Sequence, residues 1–280
     1  GTQSQKDTYL RPFARGEQLT AFALTEPAGG SDVAQLRTRA ERRNDRYILN
    51  GTKQFITSGS TADVALIFAT TDPDAPRGKG ISSFIVPTDA PGYTVDRIEN
   101  KMGLKASDTC VISLDSVEVP FENRLGEEGQ GYKIALSNLE GGRIGIGAQA
   151  IGIARAALEA ALDYARERHT FGVPISDHQA VAFRLADMAT ELEAARQLVF
   201  YAARLKDGGQ PSLQQASMAK LKATEMAESV CSDAIQIFGG YGYMEDYPVA
   251  RLARDARGTK IYEGANDIQR LVVSRSLLTG

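Results

Sequence analysis

Residues 33–50 read Val33-Ala-Gln-Leu-Arg-Thr-Arg-Ala-Glu-Arg-Arg-Asn-Asp-Arg-Tyr-Ile-Leu-Asn50. Leu36, Thr38 and Ala40 alternate with Arg37, Arg39 and Glu41, a period of two that suits a strand with one dry and one wet face. Asn44-Asp45 then turns the chain into Arg46-Tyr47-Ile48-Leu49-Asn50, which predicts a β-hairpin. Working outward, short β-rich runs recur at Gln54 to Thr57, Val64 to Thr70, Ile81 to Val86, Tyr93 to Ile98 and Cys110 to Val119. Turn clusters such as Asp72-Pro73-Asp74-Ala75-Pro76-Arg77-Gly78 separate them. Strands in succession with no helices between them predict an antiparallel β-barrel or sandwich domain over residues 19–125.

Beyond Gly131 the period becomes helical. Val181, Leu185, Met188, Leu192, Ala195, Val199 and Ala202 form a heptad-like stripe on one long helix that stops at Gly208-Gly209. Pro211-Ser212 opens another, which runs to Gly239-Gly240. An earlier helix, about Tyr132 to Glu167, is rich in small residues, which let a neighbouring backbone or a ligand come close. Helices of this length predict an up-down four-helix bundle over 126–280, so the fold class is α+β.

Composition narrows the function. Lys+Arg 32 against Asp+Glu 35 leaves a net charge of −3, which supplies no basic field for nucleic acid or an anionic membrane. Two cysteines (Cys110, Cys231) and two histidines (His169, His178) argue against a disulfide framework and a zinc site, and fit a reducing compartment. No apolar run in the sequence reaches the roughly 18 residues expected of a membrane span. The chain opens on Gly1 with a polar, helix-like stretch from Thr2 to Gln18, and is read as a fragment.

Five stretches carry chemistry. Leu24-Thr-Glu-Pro-Ala-Gly-Gly-Ser31-Asp32 is a strand running into a turn whose hydroxyls and backbone donors can line a rim. Gln54-Phe-Ile-Thr57 adds an aromatic and a hydroxyl at a second strand edge. Arg166-Glu-Arg-His-Thr-Phe-Gly172 joins a cationic helix end to an aromatic turn, suited to clamping a phosphate with Arg168 and stacking a base on Phe171. Gln236-Ile-Phe-Gly-Gly-Tyr-Gly242 ends a helix in glycines. In Lys260-Ile-Tyr-Glu-Gly-Ala-Asn-Asp267, Glu263 precedes a helix that Asn266 or Asp267 is placed to cap. Wedged between apolar groups and a flat cofactor, that carboxylate would have its charged form disfavoured, which suits a general base. A plain turn or cap explains each stretch taken singly.

Taken in order with Met102-Gly-Leu-Lys-Ala-Ser-Asp108 and Gly142-Arg-Ile-Gly-Ile146, these stretches resemble the acyl-CoA dehydrogenase family across essentially the whole chain. The resemblance implies that family's middle β-domain and C-terminal helical domain, with residues 1–18 the tail of an N-terminal helical domain. It implies FAD as cofactor and an acyl-CoA as substrate. Leu24, Thr25, Ser31, Phe55 and Thr57 would face the flavin side, and Arg168, Phe171, Gln179, Gln236 and Gly240 the adenosine side from a neighbouring subunit. Ala265 and Asp267 match further cofactor positions, where the family more often has Thr and Gln or Glu. Ser31, Glu140, Arg143, Tyr262 and Gly264 match the substrate side. Glu263 matches the base that takes the α-proton while the β-hydrogen leaves as hydride to flavin N5, giving a trans-2-enoyl-CoA. One branch carries its base just before the equivalent of Arg143; here that residue is Gly142, which favours Glu263.

The resemblance also implies a short-chain or branched short-chain acyl group, a homo-oligomer built as a dimer of dimers, and an electron-transferring flavoprotein as partner. The expected location is the cytoplasm in a bacterium, or the mitochondrial matrix in a eukaryote. An acyl-CoA oxidase and a non-catalytic, scaffold or DNA-associated protein are alternatives on the same fold. The intact Glu263 and the charge of −3 weigh against the non-catalytic ones.

Overall fold

The computed structural model describes residues 1–279. Its contacts divide the chain into two compact units, Gly1–Lys101 with Lys105–Ser137, and Met102–Leu104 with Asn138–Gly280. The fold is α+β, a β-sheet unit and a helical one.

In the first unit, helical turns α1 (Gln3–Gln5) and α2 (Arg11–Arg15) flank a π-helical turn at Lys6–Leu10. Eight strands follow: β1 (Thr20–Ala23), β2 (Arg39–Arg43), β3 (Arg46–Thr57), β4 (Val64–Thr70), β5 (Ile81–Pro87), β6 (Tyr93–Ile98), β7 (Thr109–Pro120) and β8 (Arg124–Leu125). They form one sheet in the order β6-β7-β3-β2-β4-β5-β8, with β1 on β4. The hairpin forms as expected: Arg43 pairs with Arg46, and Asn44 takes the left-handed turn at φ 55°. Tyr47, Leu49, Ile56, Ile67, Phe84, Val86 and Ile112 make the dry side of the sheet.

Two details depart from the sequence reading. The pairing is antiparallel except at β1, which runs parallel to β4 from Thr20↔Val64 to Ala23↔Ile67, and at the single bridge Arg39↔Thr70. Residues 33–38 alternate but are no strand. The Glu26 carboxylate takes the N–H groups of Arg37 (2.6 Å) and Thr38 (3.0 Å), donors that a ladder would have used.

The same Glu26 carboxylate accepts from Lys53 Nζ at 2.8 Å, and the Lys53 ammonium also donates to the Leu24 carbonyl at 3.2 Å. Both side chains are buried. Burial pushes Lys53 down to about 8, against the pull of Glu26. Burial also opposes ionisation of Glu26, but the Lys53 charge and the hydrogen bonds outweigh it and leave that carboxyl below its ordinary value.

In the second unit, α3 (Gly131–Glu167), α4 (Gln179–Asp207) and α5 (Leu213–Phe238) are the long helices, with α6 (Pro248–Thr259) and α7 (Asn266–Thr279) after them. A two-stranded ribbon, β9 (His169–Thr170) and β10 (Val173–Pro174), joins α3 to α4. Of the expected stripe, Leu185, Met188, Leu192, Ala195, Val199 and Ala202 are buried on α4. They pack with Ala150, Ala154, Ala157 and Ala161 of α3 and Ala219, Ala223, Ala227 and Val230 of α5. Alanine on three facing helices lets their axes approach closely.

An 18-residue window of α3 reaches a mean hydropathy of 1.2, long and apolar enough by those measures to cross a bilayer. Ile144, Ile146, Ile151 and Ile153 and the intervening alanines give this stretch its apolarity, and 33% of the window is buried within the fold. Both cysteines are buried and unbridged.

Removing one partner of a buried ion pair strands the other charge. Lys53→Met is therefore expected to destabilise the protein by about 3–5 kcal/mol in urea unfolding, and Lys53→Met/Glu26→Gln by less than the sum of the single changes.

Candidate active site

Glu263 lies in the connection between α6 and α7, at φ 53°, and Gly264 follows at φ 85°. Two successive left-handed residues make a sharp turn that a glutamate adopts only when its surroundings hold it there. The turn points the carboxylate at the flank of α3. A Cβ added at Gly142 would lie 2.7 Å from Glu263 Oε2, so the glycine supplies the space the carboxylate occupies.

Burial pushes the Glu263 carboxyl above its ordinary value, and the Lys220 and Arg143 cations pull it back. Arg143 is buried next along α3, donating through Nη1 to Ser217 Oγ at 3.1 Å, while its Nε has no partner. Burial lowers the Arg143 guanidinium, opposed by Glu140 and Glu263. Glu140 is half-buried and accepts from Ser212 Oγ at 2.6 Å. The Tyr262 hydroxyl donates to Gln149 Oε1 at 2.9 Å, and burial pushes it up to about 12. Glu140, Arg143, Tyr262, Glu263 and Gly264 therefore gather around one turn.

The expected capping is absent. Asn266 and Asp267 both lie inside the first turn of α7, and the backbone N–H groups of Ile268 and Gln269 bond Ala265 O instead. The Asn266 side chain is turned inward, with Oδ1 accepting from Lys220 and Thr224 and Nδ2 donating to Glu225. Asp267 is exposed and pairs with Arg270 at 3.1 Å. Ala265 is half-buried.

Farther along the same unit, Arg168 directly follows α3, its guanidinium 5.7 Å from the centre of the Tyr241 ring. Gly240 adjoins that tyrosine, and Gln236 lies exposed on the last turn of α5. Phe171, at φ 53° in the tip of the β9–β10 ribbon, is 97% exposed and meets only the edge of His178, beside the exposed Gln179.

In the β-sheet unit, the β3–β7 register slips between Lys53 and Ile56. At that bulge Phe55 takes φ 59° and stands 62% exposed. Gln54 N–H donates to the Thr25 carbonyl at 2.9 Å, tying the end of β1 to the bulge. Leu24 is buried there, Thr25 is half-buried, and Thr57 and Ser31 are exposed. The buried Glu26–Lys53 pair is bonded to this segment through the Leu24 carbonyl.

Sequence reasoning missed Lys53, Lys220 and Gln269, and read Asn266 as a cap. The one signal available for the first was a charged residue inside an otherwise apolar strand phase of β3.

Seven described non-glycine residues have positive φ, and Phe55, Phe171 and Glu263 are three of them. Two are phenylalanines left in solvent, an arrangement that packing within the chain does not explain and that a flat aromatic ligand would.

Comparison with known proteins places the chain in a family. Residues 21–117 match the family model "Acyl-CoA dehydrogenase, middle domain", and residues 129–278 match "Acyl-CoA dehydrogenase, C-terminal domain". An acyl-CoA dehydrogenase of Bacillus subtilis (strain 168) is 54% identical over 280 residues, 100% of this chain and 74% of that protein. The solved butyryl-CoA dehydrogenase of Megasphaera elsdenii superposes with a TM-score of 0.98 at 48% identity, covering 99% of this chain and 73% of that one. A chain in the structure reported for the electron transferring flavoprotein of Acidaminococcus fermentans superposes at 0.98 with 50% identity, covering 100% and 73%. The chain belongs to the acyl-CoA dehydrogenase family.

Proposed function

We propose that this chain provides the flavin rim and the catalytic base of an FAD-dependent acyl-CoA dehydrogenase that desaturates a short acyl thioester, with Glu263 as the base. The observation that carries this reading is the half-buried Glu263 carboxylate, turned by two left-handed residues into the space beside Gly142. Removal from water raises its affinity for a proton, and Arg143 and Lys220 keep it ionisable. The α-hydrogen of a thioester is a weak acid, so a base with a raised pKa, already aimed and partly withdrawn from water, is the group the step requires. The Glu263 N–H is assigned to the thioester oxygen, where it would steady the negative charge that develops as the proton leaves. Tyr262 and Gly264 flank this position, and Arg143 and Glu140 lie behind it.

The exposed Phe55 with Leu24, Thr25, Ser31 and Thr57 fits the edge of a flavin. Exposed Phe171 with Arg168, Gln179, Gln236 and Gly240 fits an adenosine and its phosphates. When bound, FAD supplies the acceptor for the β-hydrogen, taken as hydride. The 25 residues of α3 between Gly142 and Glu167 span about 37 Å, so one FAD does not serve both Glu263 and Arg168 of a single chain. The adenosine group is thus assigned to the cofactor of a second copy, in a homo-oligomer. The similarity to the butyryl-CoA enzyme supports a short acyl chain, and the similarity to a chain in the Acidaminococcus structure supports an electron transferring flavoprotein as oxidant.

Three outcomes test the assignment. In the FAD-loaded protein, Glu263→Gln retains the flavin spectrum and lowers turnover with butyryl-CoA by about 10²–10⁴-fold. Anaerobic flavin bleaching at the parental rate would remove Glu263 from the reaction. Activity requires the ionised carboxylate and is lost as pH falls through its raised pKa. The acid limb of kcat/KM is therefore expected above the ordinary glutamate value of about 4.3. Gly142→Ala places a methyl in the carboxylate's space and is expected to lower kcat while leaving the bundle folded, checked by kinetics beside a thermal melt.

A further inference from the structure

Lys220 on α5 is completely buried, and neither of its hydrogen-bond partners is a carboxylate. Its Nζ donates to the Gly264 carbonyl and to Asn266 Oδ1, each at 3.0 Å. Gln269 of α7, also fully buried, donates from Nε2 to the same Gly264 carbonyl at 2.8 Å and lies 3.5 Å from the Glu263 carbonyl. Its Oε1 has no partner, so the contacts with the turn are the ones that orient this amide. A Cβ at Gly264 would come within 2.6 Å of Gln269 Nε2, so the turn and the clamp are shaped to each other.

A lysine placed only for packing would be an expensive choice in this position, because an ammonium out of water is tolerated only when several acceptors surround it. The carboxylate that might have claimed it, Glu225, is engaged elsewhere. It accepts from Asn266 and Arg270 and pairs with Lys260, which also pairs with Glu228. The charges facing Glu263 are thus Lys220 from α5 and Arg143 from α3. Those facing Lys220 are Glu263, Arg143, Glu225 and Lys260.

We propose that Lys220 and Gln269 are positioning residues for the base: together they clamp the Gly264 carbonyl, hold Glu263 in its left-handed turn, and place a positive charge behind its carboxylate. Burial lowers Lys220 to about 8, opposed by Glu263, so the cation is held most firmly when the carboxylate is ionised. The inference rests on Glu263 being the base.

The test uses Lys220→Met and Gln269→Leu in the FAD-loaded protein, with Glu263→Gln as reference. Both positioning variants are expected to lower kcat for butyryl-CoA by about tenfold or more, with KM changed far less. Removing the Lys220 cation raises the carboxylate's pKa, so in Lys220→Met the acid limb moves to higher pH. In Gln269→Leu, which removes no charge, the limb stays at its parental position. A purely structural role would lower the melting temperature and leave both the limb and the kcat per bound flavin in place, and that result overturns the proposal. If Lys220→Met is not recovered folded, Gln269→Leu decides, and an unchanged kcat there overturns the clamp. Parental turnover by Glu263→Gln would instead remove the base assignment, a separate failure.

Discussion

A carboxylate removed from water resists losing its proton, and a cation removed from water resists keeping one. The helical unit is arranged around a balance between these two penalties. Glu263 is desolvated enough to bind a proton more tightly than a surface glutamate, and Arg143 and Lys220 stop it from becoming a permanently neutral acid. Neither cation forms a direct ion pair with it among the hydrogen bonds of the site. Both spend their donors on neutral oxygens, Ser217 Oγ, the Gly264 carbonyl and Asn266 Oδ1, and act on the carboxylate through space. A direct pair would have lowered the carboxylate's proton affinity.

The β-sheet unit solves a related problem with the same parts. Lys53 is buried, lowered to about 8, and donates to the backbone carbonyl of a residue in the candidate site, Leu24. Lys220 does the same at Gly264. In each case an irregular segment, with no ladder or helix to hold its carbonyls, is held by an amine reaching out of a regular element. The difference lies in the counter-charge: Lys53 meets Glu26 directly, whereas Lys220 does not meet Glu263. The first arrangement gives rigidity; the second also leaves a carboxylate able to titrate.

This contrast explains what could be read from the chain. Short β-rich runs between turn clusters announced β3, β4, β5, β6 and β7, and the 4-3 stripe announced α4, because apolar burial writes itself directly into sequence. The Asn44-Asp45 hairpin was legible for the same local reason. Residues 33–38 alternate convincingly, yet Glu26 takes their amides, a contact from 11 residues away that no period records. The parallel seating of β1 is likewise a long-range matter. Of the site, Glu263 and the rim residues were legible from the order of short motifs. Lys53 and Lys220 were not, since a pattern reading assigns lysine to solvent. Asn266 looked like a cap and is instead a buried acceptor.

The bare flank of α3 at Gly142 has a wider meaning. Because a side chain there would share its space with the Glu263 carboxylate, what the fold specifies is a point beside the helix and not a residue number. A carboxyl could arrive at that point from the helix itself or from the turn opposite, along two unrelated stretches of chain. The point in space and the residue that fills it are thus separable traits. An acid moved from one segment to the other would keep its place against the flank of α3.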